Sequence, residues 1–184
     1  MNFGLTDEQE MVVNTVRTFV ENEIYPLEKE VEKAGLVPDE IGQEIKNKVL
    51  KLGFFAPNMP EDVGGGGLDN LSFALLEREL GRGSQGLTIF WGRPSNILLA
   101  CNQEQKEEYL FPAIKGEKFD ALAMTEPGAG SDVRGMKCFA KKDGEDFIIN
   151  GTKHFISHAN IADFVIVFIA TGEEETPKGK KKLI

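Results

Sequence analysis

Hydrophobic periodicity changes character once along this chain, near residue 118, and that switch bounds the folds open to it. Before it, apolar residues recur every three or four positions, the mark of helices with one buried stripe. Val12, Val16, Phe19, Val20, Ile24, Leu27 and Val31 make the first stripe. Thr6 can cap this helix, with Gln9 completing a capping box. Pro26 inside the run predicts a kink or interruption, and Gly35 a stop. A second helix is expected from about Pro38 to Leu52, with Ile41, Ile45, Val49 and Leu52 inward and Gly53 as terminator. The stretch "APNMPEDVGGGGLDN" reads as a loop, flexible at Gly64–Gly67. A third helix, Asn70 to Leu80, would turn Leu71, Leu75 and Leu76 inward and break at Gly81 and Gly83. A fourth, Ser84 to Ala100, is irregular in its middle because of Gly92 and Pro94, and a short one runs from Glu104 to Ile114.

Past the switch the signals are those of strands. Phe119–Met124 reads as one strand; Met136–Lys142 and Glu145–Ile149 are joined at Asp143-Gly144, a hairpin signal. Asn150-Gly151 gives a second such signal, leading into "TKHFISH", and "DFVIVFIAT", Asp163–Thr171, reads as a buried strand. "GEEETPKGKKK" reads as a loop, its basic run at 178–182 a solvated hairpin tip, and Leu183-Ile184 as the opening of another strand. The fold class is therefore α+β: an all-α helical domain over 1–118, then part of an antiparallel β-barrel domain over 119–184. A sheet cut at Ile184 leaves an unpaired edge, so the chain reads as a truncation.

Composition narrows function by exclusion. With 30 acidic against 21 basic residues and a net charge of −9, the chain is a poor nucleic-acid binder. No apolar run reaches the length of a membrane span, and the first ten residues lack the pattern of a signal peptide. Cys101 and Cys138 make no disulfide framework, which leaves the cytoplasm as the default compartment. His154 and His158 are four apart in a strand-like context with no Cys or acid cluster, so no metal is expected. The Gly64–Gly67 run lacks the Gly-Lys-Ser/Thr end of a phosphate-binding P-loop.

One segment asks for more than structure. "AMTEPGAGSD", residues 123–132, sets Pro127, Gly128 and Gly130 where a strand stops, beside Thr125, Glu126, Ser131 and Asp132. Glycine allows close approach and positive φ, proline fixes the turn, and exposed backbone N–H groups can hold an anion or cofactor. An ordinary tight turn uses the same residues.

The wider sequence resembles the acyl-CoA dehydrogenase family. "AMTEPGAGSD" is similar to that family's signature, "MPEDVGGGGLD" to its Pro-Glu-x-x-Gly-Gly-x-Gly segment, "NQEQKEEYLFPAIKGEKFDALAMTEP" to its lead-in, and "IINGTKHFISHANIADFVIVFIAT" to its Asn-Gly-x-Lys-x-aromatic strand. The four occur in the family's order and span the chain. The resemblance implies a helical domain, a middle β-barrel and a C-terminal helical bundle, the last absent from these residues. It implies FAD, an acyl-CoA substrate, proton abstraction by a glutamate, hydride transfer to flavin N5, an electron-transferring flavoprotein as partner, and a homo-oligomer. An acyl-CoA oxidase or flavin monooxygenase shares the motifs, and a non-catalytic module is the other alternative.

Carried onto this sequence, Leu122, Ala123, Met124 and Thr125 would lie along the flavin, with Met124 and Thr125 at its pyrimidine side. Gly130 and Ser131 would face the pyrophosphate, Ser131 also meeting the substrate's pantetheine. Phe155, in place of the family's usual tryptophan, with Ile156 and Ser157, would border the ring. His158 departs from the family pattern. No catalytic residue is assigned within the chain, because the family's glutamate lies in the bundle; Glu126 reads as a structural acceptor for loop N–H groups. Trp91 and Arg93 read first as packing residues and second as part of the acyl pocket. In the second role they would favour a short, branched or polar acyl group.

Overall fold

The computed structural model describes residues 4–177 and 179–184, and the chain divides into two compact units, Met1–Glu117 and Lys118–Ile184.

In the first unit, α1 (Asp7–Phe19) begins with the capping box written in the sequence: Gln9 N–H donates to Thr6 Oγ1 and Thr6 N–H to Gln9 Oε1. Pro26 does not end the helical path. A π-helical turn over Val20–Ile24 carries the chain into α2 (Tyr25–Ala34), and Tyr25 N–H reaches back to the Val20 carbonyl. The extra residue in that turn moves the carbonyl that the proline ring would strike in an α-helix. The same device recurs before Pro112, where a π turn over Lys106–Leu110 separates the short helices Gln103–Gln105 and Phe111–Ile114.

Helix α3 (Asp39–Leu52) ends at Gly53, φ 73°, a left-handed stop as expected. Helix α4 (Asn70–Leu80) starts at Asp69, whose carboxylate accepts from Leu71 N–H at 2.8 Å and Ser72 N–H at 3.1 Å. Val12, Val16, Phe19, Val20, Ile24, Ile45, Val49, Leu76, Leu80, Leu87 and Trp91 share one core. Two leucines expected inside are outside. Leu71 is 53% exposed because the buried line of α4 is Ser72, Leu75, Leu76, Glu79 and Leu80, and Leu71 sits well round the helix from its centre. Leu52 is 43% exposed in the last turn of α3. The expected fourth helix dissolves further than one irregular middle: only α5 (Gln85–Thr88) is α-helical, with 3₁₀ turns at Ile89–Trp91 and Asn96–Ala100.

The glycine run is not the flexible loop the sequence suggests. Gly65, Gly66 and Gly67 N–H donate to the carbonyls of Pro60, Ala56 and Met59, winding the segment around the fully buried Met59. A Cβ on Gly65 would fall 2.3 Å from the Met59 carbonyl oxygen, so that position accepts nothing larger.

The second unit holds three two-stranded sheets. β1 (Asp120–Ala123) pairs with β4 (Phe164–Val167) in parallel, Asp120 opposite Phe164; β2 (Phe139–Asp143) and β3 (Asp146–Asn150) form an antiparallel hairpin; β5 (Gly172–Thr176) and β6 (Gly179–Leu183) form another. The class is the expected one, helices first and largely antiparallel strands second. Local details differ. The first hairpin turns on Gly144-Glu145, one residue later than expected, with Gly144 at φ 63°. Asn150-Gly151 starts no hairpin: 151–156 has no strand partner and 157–161 is a series of turns. β4 is short, and Val165 and Val167 are 43% and 44% exposed, so its run is covered on one face only.

The segment read as a charged loop is the β5–β6 hairpin. Glu173, Glu174 and Glu175 are in register with residues 182, 181 and 180, and across that pairing Lys181 Nζ meets the Glu174 carboxylate at 3.2 Å. The mirrored triplets about Pro177 were the available signal. Lys178, in the run read as a solvated tip, lies outside the described residues.

Candidate functional site

β1 runs into the glycine loop. There Glu126 and Ala129 close a tight turn over Pro127-Gly128 by two backbone hydrogen bonds, Glu126 N–H to Ala129 O at 2.9 Å and Ala129 N–H to Glu126 O at 3.2 Å. Ala129 is buried against Met136 and Ala170, anchoring the turn. Neither Gly128 nor Gly130 takes a positive φ, contrary to the expectation from composition, and a Cβ on either would meet no atom of the chain within 4 Å. The fold itself therefore does not require glycine at 130. Gly130 and Ser131 are exposed, and among the described residues the N–H groups of Thr125, Gly128, Gly130 and Ser131 meet no acceptor.

Glu126 points the other way, into the unit. It is 5% exposed and accepts from Lys137 N–H at 2.5 Å, Cys138 N–H at 2.9 Å and Lys153 Nζ at 2.8 Å. Burial alone would raise its carboxyl, but the Lys153 ammonium and the two backbone donors outweigh it and hold it at about 2, against an ordinary 4.5. A carboxylate so saturated with donors is a poor base. The structural role read from the sequence is the one its bonds describe, although the N–H groups it accepts belong to the approach to β2 rather than to the glycines.

The segment after β3 meets this loop. His154 N–H donates to the Thr125 carbonyl at 3.0 Å, and Lys153 Nζ to the Met124 carbonyl at 3.0 Å. The next residue, Phe155, sits at φ 54°, a left-handed conformation costly for an aromatic residue, and its side chain is 87% exposed. The His154 ring lies 4.1 Å from it, centroid to centroid. Ile156 is half-buried and Ser157 exposed. His158 is also at positive φ, 64°, with its ring edge-on to Phe119 at 5.9 Å.

Lys153 and His154, the two residues before Phe155, thus tie its segment to the carbonyls of Met124 and Thr125. Leu122 is 41% exposed at the end of β1, while Ala123 is turned inward with its carbonyl accepting from Phe168 N–H. Lys153 was missed as a site residue. It is the sole lysine or arginine between Asp143 and Lys178, but nothing in its immediate sequence marks it as a site residue.

Trp91 and Arg93 belong to the helical unit. Trp91 is wholly buried, edge-on to Phe19 at 5.1 Å and tilted against Phe54 at 6.1 Å. Its ring is core and has no exposed face in this unit. Arg93 Nη1 donates to both carboxylate oxygens of Glu77, at 2.8 and 2.7 Å, so its charge is paired. Among the described residues no three His, Cys, Asp or Glu side chains gather to hold a metal ion, and no helix is long and apolar enough to cross a membrane.

Comparison with known proteins places this geometry. Residues 6–117 match the acyl-CoA dehydrogenase N-terminal domain and residues 121–184 the acyl-CoA dehydrogenase middle domain. The chain is 39% identical over 179 residues to the 3-(aryl)acrylate reductase of Clostridium sporogenes, covering 95% of this chain and 46% of that protein. It is 34% identical to the caffeyl-CoA reductase-Etf complex subunit CarC of Acetobacterium woodii, with 95% and 46% covered. Its fold superposes with a TM-score of 0.78 on a glutaryl-CoA dehydrogenase from Mycobacterium smegmatis in complex with FADH2, at 25% identity, covering 97% of this chain and 52% of that one. The chain spans about half the length of the relatives it matches. With both domain matches in chain order over a glycine loop and an outward-facing aromatic, the chain belongs to the acyl-CoA dehydrogenase family.

Proposed function

We propose that this chain supplies the flavin-holding loop and the helical domain of an FAD-dependent enzyme that oxidises an acyl-CoA thioester to the 2,3-enoyl-CoA. The observation that supports it most is the pairing of two features the fold does not need: a glycine at 130 with open space where a side chain would stand, and Phe155 held outward in a strained conformation. A flat cofactor with a pyrophosphate arm fits both, the arm on unused backbone N–H groups and the ring against Phe155.

In this reading Leu122, Ala123, Met124 and Thr125 border the flavin, Thr125 with its hydroxyl and an N–H that meets no acceptor among the described residues. Gly130 and Ser131 hold the pyrophosphate, Ser131 also reaching the substrate's pantetheine, and Phe155, Ile156 and Ser157 line the ring. FAD, when bound, supplies the hydride acceptor that side chains lack. Glu126 is committed to its three donors and is not the proton-abstracting base in this reading. An electron-transferring flavoprotein is the redox partner, consistent with the relative named as part of an Etf complex. The working enzyme is a cytoplasmic homo-oligomer. The acyl group stays open.

The test is Gly130→Val in the full-length protein. It should fold, because no atom of this chain opposes the side chain, and purify colourless where wild type is yellow. Stoichiometric FAD in the variant would overturn the assignment. The 184-residue chain alone should turn over no acyl-CoA with an artificial electron acceptor.

A second reading concerns direction. The relatives at 39% and 34% identity are named as reductases of an arylacrylate and a caffeyl-CoA, which favours reduction of a 2,3-unsaturated thioester at the same flavin. Assaying the full-length enzyme both ways, with reduced and with oxidised electron carriers, decides between them.

A further inference from the structure

Lys153 is the group in the β unit whose surroundings the FAD assignment does not explain. Its side chain is 9% exposed and makes two contacts, one to the Glu126 carboxylate at 2.8 Å and one to the Met124 carbonyl at 3.0 Å. Glu126 in turn holds the N–H groups of Lys137 and Cys138. One ammonium thus ties together the end of β1, the approach to β2 and the segment after β3. One residue on, His154 N–H closes on the Thr125 carbonyl, and one further, Phe155 takes its positive φ. A strained residue persists where its neighbours over-determine it, and here two anchors stand immediately before it in sequence.

The Met124–Thr125 peptide also lies between charge and ligand. Its carbonyl accepts from the buried ammonium, a charge-assisted bond stronger than a neutral one. Polarising the carbonyl of a peptide strengthens the N–H on its other side as a donor, and that N–H belongs to Thr125, which meets no acceptor among the described residues.

We propose that Lys153 is a positioning residue for the flavin: with Glu126 it sets the spacing between the Met124–Thr125 peptide and Phe155, and through the Met124 carbonyl it strengthens the Thr125 N–H as a donor to the flavin's pyrimidine edge. This depends on the FAD assignment for loop 124–131. The Thr125 N–H meets the part of the flavin that becomes electron-rich on reduction, so Lys153 favours the reduced cofactor without touching it.

The experiment uses the full-length holoprotein and three variants: Lys153→Met, Glu126→Gln and the double variant. FAD affinity is read by fluorescence titration, the flavin reduction potential by dye equilibration, and folding by thermal melting of the apoprotein. Lys153→Met should weaken FAD binding about tenfold, the cost of a lost charge-assisted contact, and lower the reduction potential. It also leaves Glu126 buried and unpaired, which lowers the melting temperature. The double variant replaces the ion pair by a neutral pair and should recover melting temperature, yet keep the lowered potential, because the Met124 carbonyl still lacks its ammonium. A purely structural ion pair would instead recover both. Wild-type potential in a folded Lys153→Met or double variant overturns the proposal and leaves the FAD assignment standing. A wild-type protein that binds no FAD overturns both.

Discussion

Arg17 and Glu79, on α1 and α4, meet as a two-pronged pair: Nε donates to Oε2 and Nη2 to Oε1, both at 3.0 Å. Glu79 is 2% exposed, and Arg78 and Arg82 add further bonds at 2.7 and 3.2 Å. The hydrogen bonds from Arg17 lead, against an opposing effect of burial, with Arg78 and Arg82 assisting, and they hold the carboxyl at about 2 rather than 4.5. The folded value is the lower one, so the stabilisation is complete above pH 4.5 and is lost as pH falls towards 2. The arginine side chains are 39–54% exposed, and solvent screening reduces the contribution to about 1–2 kcal/mol. Trp91, the single tryptophan, reports on this unit alone. Its fluorescence should show the urea midpoint falling over that pH window, and Glu79→Gln should flatten the fall. A wild-type midpoint constant from pH 5 to pH 3 would contradict the role given to Glu79.

Two glycines in glycine-rich segments should behave oppositely. At Gly65 a methyl group would overlap the Met59 backbone at 2.3 Å, with a fully buried side chain behind it. Gly65→Ala should cost about 2–3 kcal/mol of stability, at the upper end for overpacked sites. Gly130→Ala meets nothing within 4 Å at an ordinary φ and should change stability by less than about 0.5 kcal/mol. Parallel urea titrations of the two variants check the contrast.

Trp91→Ala should act on the helical core. The ring is fully buried between Phe19 and Phe54, and its removal leaves a cavity worth about 3–5 kcal/mol. Its indole Nε1 is buried without a hydrogen-bond partner, so Trp91→Phe forfeits no such bond and should cost much less than Trp91→Ala. Preference along a series of acyl-CoA chain lengths should be the same in wild type and Trp91→Phe. A shift in that preference would restore the ring to the acyl pocket.

Local chemistry explains what the sequence made legible. The Thr6 capping box, the stops at Gly35 and Gly53, and the turn after Thr125 depend on residues within a few positions of one another, and such signals survive folding. The readings that changed depend on partners far along the chain. Gly65 is rigid only because Met59 fills the space inside it; Trp91 is core because Phe19 stands 72 positions earlier (91 − 19) in the same cluster. Lys153 was invisible as a site residue because its two acceptors, Met124 and Glu126, lie 29 and 27 positions away. The strands of the β5–β6 hairpin read as loop in the sequence for a different reason: they lack the apolar alternation that identifies strands.

Glu126 yields a prediction specific to the β unit, which contains neither tryptophan nor tyrosine. Burial opposes ionisation of its carboxyl, but Lys153 and the N–H groups of Lys137 and Cys138 prevail and hold it at about 2, down from 4.5. Because the folded value is depressed, the pair stabilises the unit fully above pH 4.5, and the contribution declines as pH falls from there towards 2. Protonation weakens the acceptor of the Lys137 and Cys138 N–H groups and leaves the Lys153 ammonium, 9% exposed, without its counter-charge. The Lys137 and Cys138 amides should therefore lose hydrogen-exchange protection in that window, before those on the β5–β6 hairpin, whose Glu174–Lys181 pair is 47% and 44% exposed and contributes little at any pH. In Lys153→Met the carboxyl loses its chief counter-charge, and the midpoint of the protection loss should move upward by at least about one pH unit. An unchanged midpoint in that variant would show that the two backbone donors alone hold the carboxylate ionised, and that the lysine is not needed to keep Glu126 in place.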